Sequence, residues 1–458
     1  MKTSKTTLNL TQGRPLKLIL LFAIPVFLGN LFQILYNLVD TKIVGSILGE
    51  DALAAVGAVS SLYTLLAGFF NGLSLGFSVI ASRHFGSGDG KELKRTVAGS
   101  ILLGFVTATV MIVAVALFLK PILTLLNVPP KQLDMAYAYI CILVWGMFIT
   151  LAYNLCANML RAIGDSFTPL IFLIIASVLN VILDYTFILG FDMGVKGAAV
   201  ATVLSQLLSV ALCMIRIYKG FPVLHVSKTD FVLTRRQVFA MYESGLSMGL
   251  MSSLVNFGSL VLQSGINQLG TNIIVAHTSA RKVFEIWNLP VSVLGSSMAT
   301  YCGQNYGAGK YDRIRKGMKD ALILGSVWIA LIFVLAHTVS SYLIAFLAST
   351  KNEEIIYWGS MYLKVDMSFL IVVVFIVILR NSMQGFGDYK TPIFSSFIEL
   401  VGKLVFTFVF VRLFGYWGII WTEPVIWILM VIPLIVMTLR NPIWSSGERA
   451  GAQEERVS

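Results

Sequence analysis

RHFGSGDGKELKR at Arg83–Arg95 and QNYGAGKYDRIRK at Gln304–Lys316 are two copies of one pattern, and their repetition decides the fold. With Gly86 set over Gly307 and Gly88 over Gly309, Lys94 falls over Arg315 and Arg95 over Lys316, an offset of 221 residues. A second pair, RAIGDSFTP from Arg161 and QGFGDYKTP from Gln384, places Gly164 over Gly387 and Pro169 over Pro392 at an offset of 223. GVKG from Gly194 and GYWG from Gly415 make a third. Transport folds are often built from duplicated halves, so these pairs predict two copies of one bundle.

Working outward from the loops, the sequence between them is apolar. Hydrophobic residues fill 57% of the 458 positions and charged residues 12%, about half the charged share of a soluble domain. Crossing a hydrocarbon core takes about 20 apolar residues per helix. Runs of that kind lie near 16–43, 52–81, 97–119, 134–160, 169–190 and 195–218, and again near 238–268, 273–301, 320–347, 354–383, 392–413 and 416–439. The longest polar gap, around Lys219 to Arg236, divides an N-lobe, 1–225, from a C-lobe, 226–458. Six helices separate the copies, and six is even, so both halves enter the membrane in the same direction. The expected fold is all-α and integral to the membrane: twelve transmembrane helices in two six-helix bundles related by a pseudo-twofold axis along the membrane normal.

The net charge of +11 does not indicate a nucleic-acid partner, because the basic residues sit in short loops rather than on one soluble face. Basic loops are retained in the cytoplasm. With the N-terminus inside, the inner loops carry Arg83, Lys91, Lys94 and Arg95, then Arg216, Lys219, Lys228, Arg235 and Arg236, then Lys310, Arg313, Arg315, Lys316 and Lys319. The outer loops hold chiefly Lys120, Lys131, Lys196, Lys351 and Arg412. Both termini therefore face the cytoplasm, in a cell inner (plasma) membrane. Lys2, Lys5, Arg14 and Lys17 precede an apolar stretch too long for a signal core and without a small-residue cleavage site, which reads as the first spanning helix. Cys141, Cys156, Cys213 and Cys302 are isolated in apolar runs and read as packing residues. Gly86 to Lys91 lacks the spacing of a phosphate loop, and the histidines His84, His225, His277 and His337 are scattered, so neither ATP coupling nor a transferase or other enzyme is indicated.

An ionisable side chain inside a span needs a partner, a water-filled cavity or a change of protonation. In the second half the charges look matched: Glu285 lies four residues from Arg281 and next but two to Lys282, Lys364 is near Asp366, and Glu399 precedes Lys403 by one turn. In the first half Asp40 and Asp184 sit well inside spans, and the nearest bases, Lys42 and Lys196, belong to outer helix ends. An uncompensated acid is neutral when protonated and needs a positive partner when ionised, so it can exchange a proton for a cation. Both acids fall in the outer part of their helices. Asn180 shares a face with Asp184, while Gln33, Tyr36 or Asn37, and Asp40 form a polar stripe on the first helix. Thr202 reaches similar depth on the sixth. Asn154 and Asn158, deeper towards the cytoplasm on the fourth helix, are candidates for the substrate path. His277, Arg281 and Glu285 recur at four-residue spacing, as a structural ion-pair stripe or as cleft residues. Pro25 removes one backbone hydrogen bond from the first helix and is a hinge candidate, though a static kink answers equally.

These loops, together with the opening run from Pro25 through Gln33 and Asp40 to LAAVG at Leu53, resemble the multidrug and toxic compound extrusion family over nearly the whole chain. The patterns GQNYGAGKYDRIRKG after the eighth span and RAIGDSFTP before the fifth carry most of the resemblance. The major facilitator fold also has two parallel six-helix halves, but its loop after the second helix carries an Asp-Arg pair that Arg83–Arg95 lacks. The resemblance implies an N-lobe cation site built from an acid on the first helix and an Asn, Asp and Thr set on the fifth and sixth, here Asp40, Asn180, Asp184 and Thr202. A sodium-coupled branch also has an acid on the seventh helix, and Gly249 to Gly270 contains none. The implied activity is export of small drug-like cations by a monomer in the lipid bilayer, in exchange for H⁺ or Na⁺, by alternating access and with no further cofactor or metal. The alternative is a lipid or lipid-linked saccharide flippase of the same superfamily, which would need several unpaired basic residues in its cleft; by sequence spacing Arg281, Lys282, Lys364 and Lys403 are acid-matched.

Overall fold

A computed structural model describes residues 7–126 and 128–444. Twelve long helices follow the apolar runs: α1 (Pro15–Leu48), α2 (Glu50–Ser87), α3 (Gly90–Leu117), α4 (Leu133–Ala162), α5 (Phe167–Tyr185), α6 (Val195–Gly220), α7 (Arg235–Ile266), α8 (Thr271–Gly307), α9 (Tyr311–Leu347), α10 (Glu353–Phe386), α11 (Lys390–Val405) and α12 (Thr422–Arg440). The main departures from the hydropathy reading lie beside the glycine loops. There α2 runs on to Ser87 and α9 starts at Tyr311, well outside the apolar stretches. Hydropathy marks the part that needs hydrocarbon, whereas backbone hydrogen bonding continues wherever an end is capped. Left-handed Gly88, at φ +76°, ends α2, and Asp89 caps the start of α3, its carboxylate accepting from the N–H of Lys91 at 3.1 Å and of Glu92 at 3.0 Å, so the charged turns beside this loop are helical.

Ten of the helices are long and apolar enough to cross a membrane. Among the twelve, α8 and α11 fall outside that set: α8 carries His277, Arg281, Lys282 and Glu285, and the regular part of α11 has 16 residues and holds Glu399 and Lys403. Large apolar side chains such as Phe105, Val110, Leu117, Phe346 and Leu439 are exposed, as expected of a surface solvated by lipid rather than water.

The repeated loops repeat their backbone. Gly164 and Gly387 have φ of +94° and +103°, the left-handed conformation that ends a helix. After each, an aspartate caps the next helix: Asp165 accepts from Thr168 N–H at 3.0 Å and Thr168 Oγ1 at 2.6 Å, and Asp388 from Thr391 N–H at 3.1 Å and Thr391 Oγ1 at 2.7 Å. Gly194 and Gly415 likewise share φ of +56° and +57°. Each follows a short stretch of wider helix, Thr186–Gly190 after α5 and Phe406–Phe410 after α11. Hydropathy gives no hint of these wide turns, because they change the hydrogen-bond register and not the composition.

By spatial proximity the described residues fall into two compact units. One holds residues up to Asn9 together with Leu21–Gly249; the other holds Leu10–Leu20 and the residues from Leu250 onward. The spatial division therefore differs from the expected 225/226 division, because the first turns of α1 and of α7 each cluster with residues of the opposite half. In the first unit α7 crosses α2 at backbone range. A Cβ at Gly72 or Gly76 would collide with the carbonyls of Met248 and Ser244, one at Gly245 would collide with Phe77, and Ser244 Oγ donates to Gly76 O at 2.7 Å. Two Gly-xxx-Gly pairs, Gly72 with Gly76 and Gly245 with Gly249, thus face each other; between helices in lipid, where no hydrophobic force favours contact, such close packing holds the pair.

In the second unit the glycine-rich loop after α8 grips backbone carbonyls. Lys310 Nζ donates to Thr11 O at 2.9 Å, Arg313 to Gly13 O at 2.7 Å and Leu10 O at 3.1 Å, and Arg315 to Trp444 O at 3.1 Å. Three basic residues read as orientation signals are therefore also structural fasteners.

Candidate functional site

The first unit gathers its uncompensated acids at one place. Asp184 and Asn180, one turn apart on α5, are both fully buried, and Thr202 on α6 is 8% exposed. Asp40 on α1 brings its carboxyl within hydrogen-bonding reach of Asp184. Asn180 orients the group: its amide nitrogen donates to Asp184 Oδ2 at 2.9 Å and its amide oxygen accepts from Thr202 N–H at 3.2 Å. Tyr36, one turn before Asp40, donates from its hydroxyl to Thr202 Oγ1 at 3.4 Å. Thr202 in turn donates to Ala198 O at 3.0 Å.

Asp40 Oδ1 and Asp184 Oδ1 are buried and accept no hydrogen bond from the surrounding groups, and neither acid forms an ion pair with Lys or Arg among the described residues. Two carboxylates this close repel, so the pair is stable only with a positive partner, a proton or a small cation. The oxygen donors of Asp40, Asp184, Asn180 and Thr202 are chemically suited to either; an alkali cation needs no histidine or thiolate. Tyr63 and Tyr139 stand within electrostatic reach of the pair, and Tyr63 also meets Thr150 and Gln206, which bond to each other at 2.7 Å. These tyrosines and Gln206 were not singled out from sequence, since tyrosines are frequent in apolar helices and carry no distinguishing spacing.

Other candidates are placed differently. Gln33 and Asn37 are exposed, so Tyr36 is the member of the α1 stripe that turns to the acid pair. α1 runs unbroken through Pro25. Asn154 is half-buried, whereas Asn158 is buried and accepts from Arg161 at 3.0 Å.

In the second unit two sequence pairings need correction. Glu285 is exposed, and the carboxylate nearest Arg281 is that of Glu423, at 4.0 Å. Lys364 and Asp366 do not pair, because residues two apart point to different sides of a helix; Asp366 is fully buried and neither of its oxygens has a well-formed hydrogen bond. The third pairing stands, with Lys403 Nζ 2.9 Å from Glu399 and, additionally, 3.3 Å from Glu423. His277 is buried, its Nδ1 3.2 Å from the Tyr416 hydroxyl and its ring against Tyr362, so it belongs to an aromatic cluster rather than to an ion stripe. Glu423 was detectable as the lone acid in WTEPVIW, and Asp366 as an acid whose neighbour in sequence lies on another face.

Long apolar helices in two repeated sets, with a paired-acid site buried in one of them, define a multi-span membrane transporter. A family model described as MatE matches residues 25–186 and 247–409, more than half of the chain in two copies, and the protein belongs to that family, multidrug and toxic compound extrusion. It is similar to "Probable multidrug resistance protein YpnP" of Bacillus subtilis, with 27% identity over 89% of this chain and 90% of that one. It is also similar to "Multidrug export protein MepA" of Staphylococcus aureus, with 21% identity over 88% of each. Among solved structures, a MATE protein in the bent conformation superposes with a TM-score of 0.85 at 23% identity, covering 98% of this chain and all of that one. An outward-facing multidrug resistance MATE transporter gives 0.84 at 22% identity, covering 98% and 99%. Members of the family are transporters rather than enzymes, and the all-helical, twelve-helix, two-bundle fold is theirs.

Proposed function

We propose that this protein is a secondary active multidrug exporter that moves drug-like organic cations out across the plasma membrane in exchange for H⁺ or Na⁺, as a monomer with both termini in the cytoplasm. The observation that carries this reading is the Asp40–Asp184 pair, in which Asp184 is buried and Asp40 half-buried, Asp184 is hydrogen-bonded through Asn180 to Thr202, and neither acid ion-pairs with Lys or Arg among the described residues. Such a pair holds one positive partner well and two poorly, so an incoming cation displaces an outgoing one. The relatives named for multidrug export supply the cargo class. Tyr36, Tyr63 and Tyr139 around the pair suit bulky cations, since aromatic faces attract positive charge by about 0.5–2 kcal/mol. The drive is adequate: each charge crossing 100 mV yields about 2.3 kcal/mol, and a tenfold ion gradient adds about 1.4 kcal/mol.

In this account the lobes alternate access to the two sides, with Pro25 as the point where α1 can bend. A lipid-linked saccharide flippase is disfavoured, because Lys403 and Arg281 are held by Glu399 and Glu423 rather than left for phosphates. The test is ethidium efflux from a pump-deficient bacterial host. Asp40→Asn and Asp184→Asn should each lower the efflux rate at least about tenfold at normal membrane expression, the loss expected when a charge essential to ion exchange is removed. Wild-type rates in both variants would remove the proposed site.

A further inference from the structure

We propose that Arg161 and Asn158, at the end of α4, form a separate station for an anionic oxygen group, the carboxylate of an amphipathic cargo. The proposal rests on the export reading for the word cargo, and on its own geometry for the station. Arg161 makes one side-chain hydrogen bond among the described residues, donating to Asn158 Oδ1 at 3.0 Å. That bond fixes the Asn158 amide, whose Nδ2 is buried without an acceptor, as is Arg161 Nε. Asn158 itself is 2% exposed.

What is missing is an acceptor carrying negative charge. No carboxylate lies within ion-pair distance of Arg161 among the described residues, and Asp165, four residues on, is engaged by Thr168. Tyr153 and Cys213, the other groups near enough to feel the guanidinium, are a phenol and a thiol. The buried bases of the second unit differ, since Lys403 and Arg281 have carboxylates within 4.0 Å and Arg380 lies near Glu399. A buried donor without a partner costs about 1–3 kcal/mol and a charged one more. A water molecule would satisfy the donors and leave the charge; a carboxylate, with two oxygens for a guanidinium and an amide, answers both.

The turn itself does not need the arginine. Gln384 occupies the equivalent position in the second half, 223 residues on, before a turn with the same left-handed glycine and the same aspartate cap. Nor is the station part of the acid pair. Cys213, beside Arg161, is eleven residues from Thr202 along α6, about 16 Å at 1.5 Å per residue. A zwitterionic cargo would therefore meet the two stations in succession rather than bridge them.

The test compares norfloxacin with its methyl ester, which lacks the carboxylate, binding to the full-length protein in phosphatidylcholine nanodiscs. Wild type should bind the ester about tenfold more weakly, the scale of one charge-assisted hydrogen-bonded pair. Arg161→Gln, the residue of the second half, should weaken norfloxacin to the level of the ester and leave the ester and ethidium unchanged. If phosphatidylglycerol added to the nanodisc displaces norfloxacin from wild type, and no longer does so from Arg161→Gln, the station holds and lipid headgroups also reach it. Equal binding of acid and ester to wild type overturns the proposal, as does a preference that survives Arg161→Gln. Should that variant not fold, the wild-type comparison decides alone. Ethidium efflux by wild type reports separately on the export reading, so failure of one leaves the other standing.

Discussion

At the residue scale, the proposed function rests on groups whose partners are too few. Asp40 and Asp184 are two acids facing each other with no ion-pairing base among the described residues, whereas Glu399 and Glu423 share Lys403. Substitutions should separate these roles. Asn180→Leu strips Asp184 Oδ2 of its donor and lowers efflux nearly as far as Asp184→Asn, while Tyr36→Phe removes one long bond and lowers it by less than about threefold. Initial efflux rates at matched expression check the order, and a Tyr36→Phe defect exceeding that of Asn180→Leu would contradict it. Glu423→Gln acts on stability instead. It leaves Arg281 without its nearest carboxylate and Lys403 with one of two, a loss of about 3–5 kcal/mol for a broken buried pair, visible as a lower unfolding temperature in detergent. The acid pair was legible in the sequence because a charge in an apolar run stands out when no base shares its helix. The pairings assigned to Arg281 and Lys364 were not, because the true neighbour of a buried charge sits on another helix, at a separation in sequence that no spacing rule reaches.

At the element scale, the loops explain themselves once their backbone is seen. RAIGDSFTP and QGFGDYKTP are each a left-handed glycine that ends one helix and an aspartate that starts the next. Their glycines are required by φ, and Gly164 additionally by the Leu8 carbonyl packed against it, whereas a Cβ at Gly88 would meet nothing. Gly88→Ala should therefore cost only the strain of a left-handed residue, about 1–2 kcal/mol, and Gly164→Ala distinctly more; thermal unfolding of the two variants side by side measures the difference. Gly76→Leu would force α2 from α7 and abolish recovery of folded protein, while Gly57→Ala, in open space, should not. Fluorescence-detected size exclusion distinguishes the two outcomes. Helix number and most boundaries followed from hydropathy alone. The wide turns Thr186–Gly190 and Phe406–Phe410, and the helical continuation to Ser87, depend on hydrogen-bond register and capping, to which hydropathy is blind.

At the scale of the whole molecule, one bundle occurs twice and only one copy keeps the uncompensated acid pair. At the offset of 223, Asn180 falls over Lys403 and Asp184 over Thr407, so the two halves share a scaffold and differ in the charges they carry on it. The proposal accordingly places ion coupling in the first half; in the second half, Glu399 and Glu423 lie within 4.0 Å of Lys403, while Asp366 is fully buried with no ion pair among the described residues. The central claim is that cargo and coupling ion compete for the Asp40–Asp184 pair. It is tested most directly by following ion release when ethidium is mixed with purified protein in weakly buffered solution, with a pH indicator and a sodium indicator in parallel. The account predicts a stoichiometric burst of protons or of sodium from wild type, and none from Asp40→Asn/Asp184→Asn, which should also bind ethidium more weakly. Ethidium binding to wild type with no ion released, or a burst undiminished in the double variant, would contradict it.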